Sequence, residues 1–194
     1  RLRSRGLGDV YKRQVNDLLW NMITVSDNES FNELVRLQTT SGVFKDGAEA
    51  VNAFLAENQF ADTSVQHTLS PSASKDAGLG GRNTTSVKDC GELLSRIYKG
   101  ECVSKEASDA MLNLLLNQQV TTKIPSGISA SVEIANKTGE TDTDQHDIAI
   151  VYGEKTTYIL CVMSENCKSG DAVSHIRDIS GIVYNYLNMQ LDQD

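Results

Sequence analysis

Two tripeptides hold most of the chemistry that can be read in this chain: Ser26-Asp27-Asn28 and, 111 positions later, Lys137-Thr138-Gly139. Helix and strand patterning would place both facing one cleft. A hydroxyl held beside an amine can relay a proton, and an ammonium lowers the cost of negative charge near it. Each tripeptide also has a plain structural reading. Ser26-Asp27-Asn28-Glu29 fits a capping box, Ser26 capping a helix while Glu29 reaches back. Lys137-Thr138-Gly139 fits a strand end, Gly139 supplying a turn and Lys137 keeping the edge soluble. Chance rarely produces both in this order at a domain-like spacing, so the pair carries a signal that neither carries alone.

Other reactive groups are less organised. Ser72-Ala73-Ser74-Lys75 has Ser-x-x-Lys spacing, which works only on a helix, where it stacks hydroxyl and amine on one face. Pro71 and Gly78 bracket it in a long loop, so it reads as a decoy. His67, His146 and His175 read as surface or turn residues, His146 just before a strand, because none has a paired carboxylate and nucleophile. Asp147 reads as a hydrogen-bond partner at strand entry. Cys90, Cys102, Cys161 and Cys167 show no C-x-x-C spacing and no histidine grouping, so neither a metal site nor a cofactor is expected. Cys90 falls on an apolar stripe with Val87, Leu93, Leu94 and Ile97 and reads as a buried thiol; in an exported protein, Cys90 with Cys102 or Cys161 with Cys167 could instead form a disulfide.

The elements that must position the tripeptides follow from hydrophobic period. Val15, Leu18, Leu19, Met22 and Ile23 recur at helical spacing, and Phe31, Leu34, Val35 and Leu37 form a second stripe, so Ser26 sits at a helix–helix junction. A short helix is expected over residues 48–57, then a long polar loop over 62–85. A helical pair follows over residues 86–99 and 104–119, with Gly100 as a stop and Ser104 as an N-cap. Residues 132–136, 148–152 and 158–163 read as antiparallel strands, the last two joined by a hairpin at Gly153-Glu154-Lys155. Val173, Ile176, Ile179, Ile182, Val183, Tyr186 and Leu187 are the inner stripe of a closing helix.

Residues 1–14 lack apolar periodicity, and 9–14 read like the translation of a sequencing-library transposon end. They are expected to be an artefactual, disordered segment ahead of one partial catalytic domain over residues 15–194. They hold five of the 18 basic residues and one of the 26 acidic ones, so the remainder carries 13 against 25, a net charge of −12. That acidity disfavours nucleic acid as a partner. No apolar run is long enough to span a membrane.

Ser26-Asp27-Asn28, Asn83-Thr84-Thr85 opening a helix, and Asn136-Lys137-Thr138-Gly139 followed by Asp147-Ile148-Ala149 resemble the class A β-lactamases and their penicillin-recognising relatives, over essentially all of residues 15–188. The resemblance implies an α+β fold, three-layer α/β/α and β-lactamase/DD-peptidase-like, in which an antiparallel sheet is flanked by helices. It also implies that the N-terminal strands and the helix bearing the Ser-x-x-Lys nucleophile lie upstream of this chain. By resemblance, Ser26 relays a proton to the leaving nitrogen, and Asn28 bonds the substrate's side-chain amide. Lys137 and Thr138 take its carboxylate, Gly139 lets substrate lie along the strand, and Glu140 offers its backbone N–H to an oxyanion hole.

Two departures qualify the function implied. The loop over 62–82 holds no glutamate to activate a deacylating water, only Asp62 and Asp76, and 141–161 holds no arginine. A serine β-lactamase-like hydrolase is the leading expectation, with a D-alanyl-D-alanine carboxypeptidase or a non-hydrolytic penicillin sensor as alternatives. The expected partner is a small β-lactam or D-Ala-D-Ala peptide, bound by an exported monomer. The 194 residues alone are expected to be inactive and marginally stable.

Overall fold

The computed structural model describes residues 2–69 and 78–188. They fall into two compact units, residues 1–85 and 86–194. The first contains α1 (Leu2–Thr24), α2 (Asn28–Arg36) and α3 (Phe44–Glu57). Because α1 starts at Leu2, the backbone of residues 2–14 is helical where a structureless arm was expected. No proline interrupts this stretch, and lengthening a helix costs far less than nucleating one. Val35 of α2 packs on Phe44 and Ala48 of α3, and the Phe31 and Phe44 rings lie 6.5 Å apart, tilted by 57°. Phe44 is fully buried, which is why α3 begins four residues before the expected Ala48. At Gly47 the two helices come so close that an added Cβ would overlap the Val35 carbonyl.

Residues 60–69 and 78–85, the described parts around the long loop expected over 62–85, are held by asparagine side chains. Asn52 accepts from the Val65 N–H and donates to the Val65 carbonyl, both at 2.8 Å. Asn32 does the same for Leu69 at 2.8 and 3.0 Å. Asn83 accepts from Gln66 and His67 N–H groups and donates to the His67 carbonyl. A carboxamide carries donor and acceptor together, so each of these side chains satisfies backbone as a neighbouring strand would. Asn83-Thr84-Thr85 ends the loop, where Thr84 bridges Ser64, and leads directly into the helix that follows Ser86. The Ser72–Lys75 decoy and Asp76 lie outside the described residues.

In the second unit, α4 (Val87–Lys99) is capped by Ser86 and stopped by Gly100 at φ 74°, and Ser104 caps α5 (Lys105–Leu116). The Gly100 stop and the Ser104 cap match expectation. A short 3-10 turn at Pro125–Gly127 precedes β1 (Ile134–Glu140), β2 (Gln145–Tyr152) and β3 (Thr157–Ser164), and α6 (Ser169–Asn188) follows. The sheet order is β1-β2-β3, antiparallel throughout. Strand alternation gives it two apolar faces. Ile134, Ala149, Val151, Tyr158, Leu160 and Val162 share a core with Ile176 and Tyr184 of α6. On the other face Tyr152 meets Tyr98 of α4, ring centroids 6.1 Å apart, and Cys161 lies beneath Gly91 of α4. Helices therefore cover both faces, giving the α/β/α layering expected of an α+β fold.

Strand limits needed correction. β1 was expected to end at Asn136 but continues to Glu140, and β2 begins at Gln145 instead of Ile148, placing His146 inside a strand. The register pairs Lys137 with Ile148, Thr138 with Asp147 and Gly139 with His146. Polar residues that looked like turn material are strand interior, because the segment before β1 bonds their buried polar groups.

Candidate active site

Ser26 occupies the junction of α1 and α2 with a left-handed backbone, φ 57°, a conformation that costs a non-glycine residue about 1–2 kcal/mol. The Asn21 carbonyl accepts from both Val25 and Asp27 N–H groups, so the chain wraps tightly around the end of α1 with Ser26 at the bend. The N-cap of α2 is Asp27, whose carboxylate accepts from Ser30 N–H at 2.7 Å. Ser26 as the cap is thus corrected: the extended backbone that a cap requires falls one residue later. Ser26 and Asn28 are both exposed.

In the second unit β1 carries Lys137, Thr138, Gly139 and Glu140 along the sheet edge. The half-buried Lys137 ammonium donates to the Thr138 carbonyl at 2.6 Å. Burial holds its pKa below the ordinary lysine value, assisted by Lys123 and opposed by Asp147 and Glu140. Thr138 is buried and Glu140 exposed. At Gly139 an added Cβ would meet only the His146 side chain, at 3.5 Å, which is ordinary contact. Packing does not require glycine there.

Behind β1 lies a buried polar cluster. Asp147 is fully buried and accepts from Ile124 N–H at 2.9 Å and from Asn136 Nδ2 at 3.1 Å. Asn136 also donates to the Val120 carbonyl. Lys123, 1% exposed, sends its ammonium to the carbonyls of Gly139 and His146, each at 3.1 Å, and lies 3.5 Å from the Glu140 carboxylate. Residues 120–124 are also tied to α6 by Ser180 Oγ on the Ile124 carbonyl and Arg177 on the Thr122 carbonyl. Sequence reading singled out Asp147 and Asn136 but missed Lys123, whose neighbours Thr122 and Ile124 give no sign of burial.

Burial raises the Asp147 pKa to about 6, against partial relief from Asn136, Ile124 and Lys123. In the unfolded chain an aspartate titrates near ~3.9, so between those values the folded state binds the proton more tightly. This group's contribution to stability is therefore highest below pH ~4 and falls as pH rises through about 6, by about 3 kcal/mol in total. Asp144, lowered from 3.8, acts below that window. Urea unfolding should show wild-type stability declining from pH 4.5 to 7 and the slope vanishing in Asp147→Asn; a wild type equally stable at both would contradict a buried, charge-averse Asp147.

His67 Nδ1 bonds the Thr68 carbonyl, His175 is exposed on α6, and Asp62 is exposed in the loop. His146 Nδ1 is buried beside Gly139 with no partner among the described residues. The four cysteines are thiols, so neither Cys90 with Cys102 nor Cys161 with Cys167 is bridged. Burial pushes the Cys161 thiol up to about 11. Among the described residues no cluster of three His, Cys, Asp or Glu could hold a metal ion, and no helix is long and apolar enough to cross a membrane.

Ser26-Asp27-Asn28 thus forms a turn between two helices, and Lys137-Thr138-Gly139 lies on an edge strand of a helix-flanked antiparallel sheet. Residues 5–187 match the Beta-lactamase enzyme family, and the chain belongs to it. It is similar in structure to PBP-A, with TM-score 0.70 and 23% identity, covering 88% of this chain and 60% of that one. A β-lactamase from Sphaerobacter thermophilus DSM 20745 gives TM-score 0.74 at 23% identity, covering 88% and 62%. The TLA-1 extended-spectrum β-lactamase gives 0.75 at 22%, covering 89% and 63%. The chain thus spans about three fifths of the length of these structures. No curated protein matches it in sequence.

Proposed function

We propose that the chain is the rear part of an exported, monomeric serine hydrolase of β-lactamase type, acylated on a Ser-x-x-Lys serine upstream of residue 26. In this reading the Ser26 hydroxyl passes a proton to the expelled ring nitrogen, and the Lys137 ammonium draws the substrate carboxylate. Asn28 takes the side-chain amide, Thr138 assists with the carboxylate, and the Glu140 N–H donates to the oxyanion. The supporting observation is Gly139: neither its φ nor its packing demands glycine, yet a bare backbone is what a substrate laid along an edge strand requires.

That observation sets a test. Gly139→Ala should leave stability within about 0.5–1 kcal/mol of wild type, since strand glycine is mildly unfavourable. It should slow acylation by β-lactam roughly tenfold; an alanine variant that is acylated as fast as wild type would remove the reason given for glycine.

The absence of glutamate from residues 62–82, with the exposed Asp62 the described acid of that loop, favours slow deacylation. This supports a D-alanyl-D-alanine carboxypeptidase as the second reading and a once-acylated sensor as the third. With the natural upstream sequence present, sustained turnover of a chromogenic cephalosporin supports the first. Peptide hydrolysis without cephalosporin turnover supports the second, and a stoichiometric, persistent adduct by intact mass supports the third. No acylation by either substrate would reject all three.

A further inference from the structure

We infer that Lys123 is a positioning residue for the oxyanion donor, acting through the peptide group that joins Gly139 to Glu140; the inference rests on the acyl-transfer reading above. Nothing in its sequence context marks Lys123. It is 1% exposed, and a lysine is almost never buried so fully unless its charge is engaged. Its ammonium donates to the carbonyls of Gly139 and His146, both at 3.1 Å, and those two residues are register partners on β1 and β2.

The Gly139 carbonyl and the Glu140 N–H belong to one planar trans peptide, in which C=O and N–H point in opposite directions. A cation fixed on the carbonyl therefore fixes the N–H on the far side, without touching substrate. It also polarises the amide: a charge-assisted hydrogen bond at the oxygen draws electron density from the nitrogen and makes the N–H a stronger donor. Two independent anchors keep the ammonium in place, the His146 carbonyl and the Glu140 carboxylate at 3.5 Å. The segment bearing Lys123 is itself fixed, because Ile124 N–H bonds Asp147, and Thr122 and Ile124 carbonyls are held from α6. The arrangement is a pre-oriented donor backed by a buried charge, which is the preorganisation that oxyanion stabilisation needs.

The test uses the protein with its natural upstream sequence, benzylpenicillin as probe, and the variants Lys123→Met and Lys123→Gln. Removing an oxyanion donor outright costs about 10²–10³ in rate, and weakening one should cost less. Lys123→Met should slow the acylation step about tenfold to a hundredfold with little change in noncovalent penicillin affinity, and Lys123→Gln, a neutral donor, should fall between. The carbonyl stretch of the acyl-enzyme ester should move to higher frequency in the same order, because its oxygen receives a weaker hydrogen bond. Wild-type acylation with unchanged rate and stretch in folded variants would overturn the inference and leave the acyl-transfer reading standing. A wild type that is never acylated would remove that reading, and the inference with it. If both variants lost cooperative melting, Lys123 would serve the fold alone and the inference would also fall.

Discussion

Lys137→Met, in the protein carrying its natural upstream sequence, is expected to slow acylation by benzylpenicillin about 10²–10³-fold, the scale of losing a preorganised electrostatic contact in an active site. The ammonium is half-buried on the sheet edge and bonded to the Thr138 carbonyl. Desolvation makes its field stronger than that of a surface lysine. The same desolvation lowers its pKa, so the wild-type rate should fall on the alkaline side at a lower pH than an ordinary lysine would dictate, and that limb should vanish in the methionine variant. Stability should change by about 1 kcal/mol, the ordinary scale of a single substitution. A variant acylated within threefold of wild type would show that Lys137 does not face the reacting substrate.

Gly47→Ala is expected to destabilise the first unit by roughly 3 kcal/mol, at the upper end of ordinary overpacking costs. The added Cβ would overlap the backbone carbonyl of Val35, which cannot swing aside as a side chain could. Relief requires α3 to move off α2, breaking the packing of Val35 on Phe44 and Ala48. The cost reaches the candidate site because α2 begins at Asn28 and its Asp27 cap adjoins Ser26. Thermal melting and penicillin acylation should therefore fall together, whereas Lys137→Met lowers acylation alone. An alanine variant as stable as wild type would contradict the close approach of α2 and α3.

What was legible in the sequence is what periodicity and local chemistry write down. Gly100 and Ser104 punctuate the α4–α5 pair as capping rules require, and the β-rich runs 148–152 and 158–163 located β2 and β3. Strand ends were misjudged where polar residues are buried: Asn136 and Asp147, expected at strand ends, are strand interior, bonded to each other and to Val120 and Ile124. Those contacts span 11 to 23 positions, beyond any local pattern. Residues 65–69 are held by Asn32, Asn52 and Asn83, residues that composition alone would scatter over the surface. At the first tripeptide, residue types suggested a cap at Ser26, but backbone geometry moved the cap to Asp27 and left Ser26 in a left-handed bend.

The most direct test of the central claim is intact-mass analysis of the protein with its natural upstream sequence after brief exposure to benzylpenicillin. One covalent penicilloyl group per chain is expected, mapped by peptide analysis to a serine upstream of residue 26 and formed far more slowly in Lys137→Met. An unmodified wild-type protein, or an adduct on Ser72 or another residue after position 26, would contradict it.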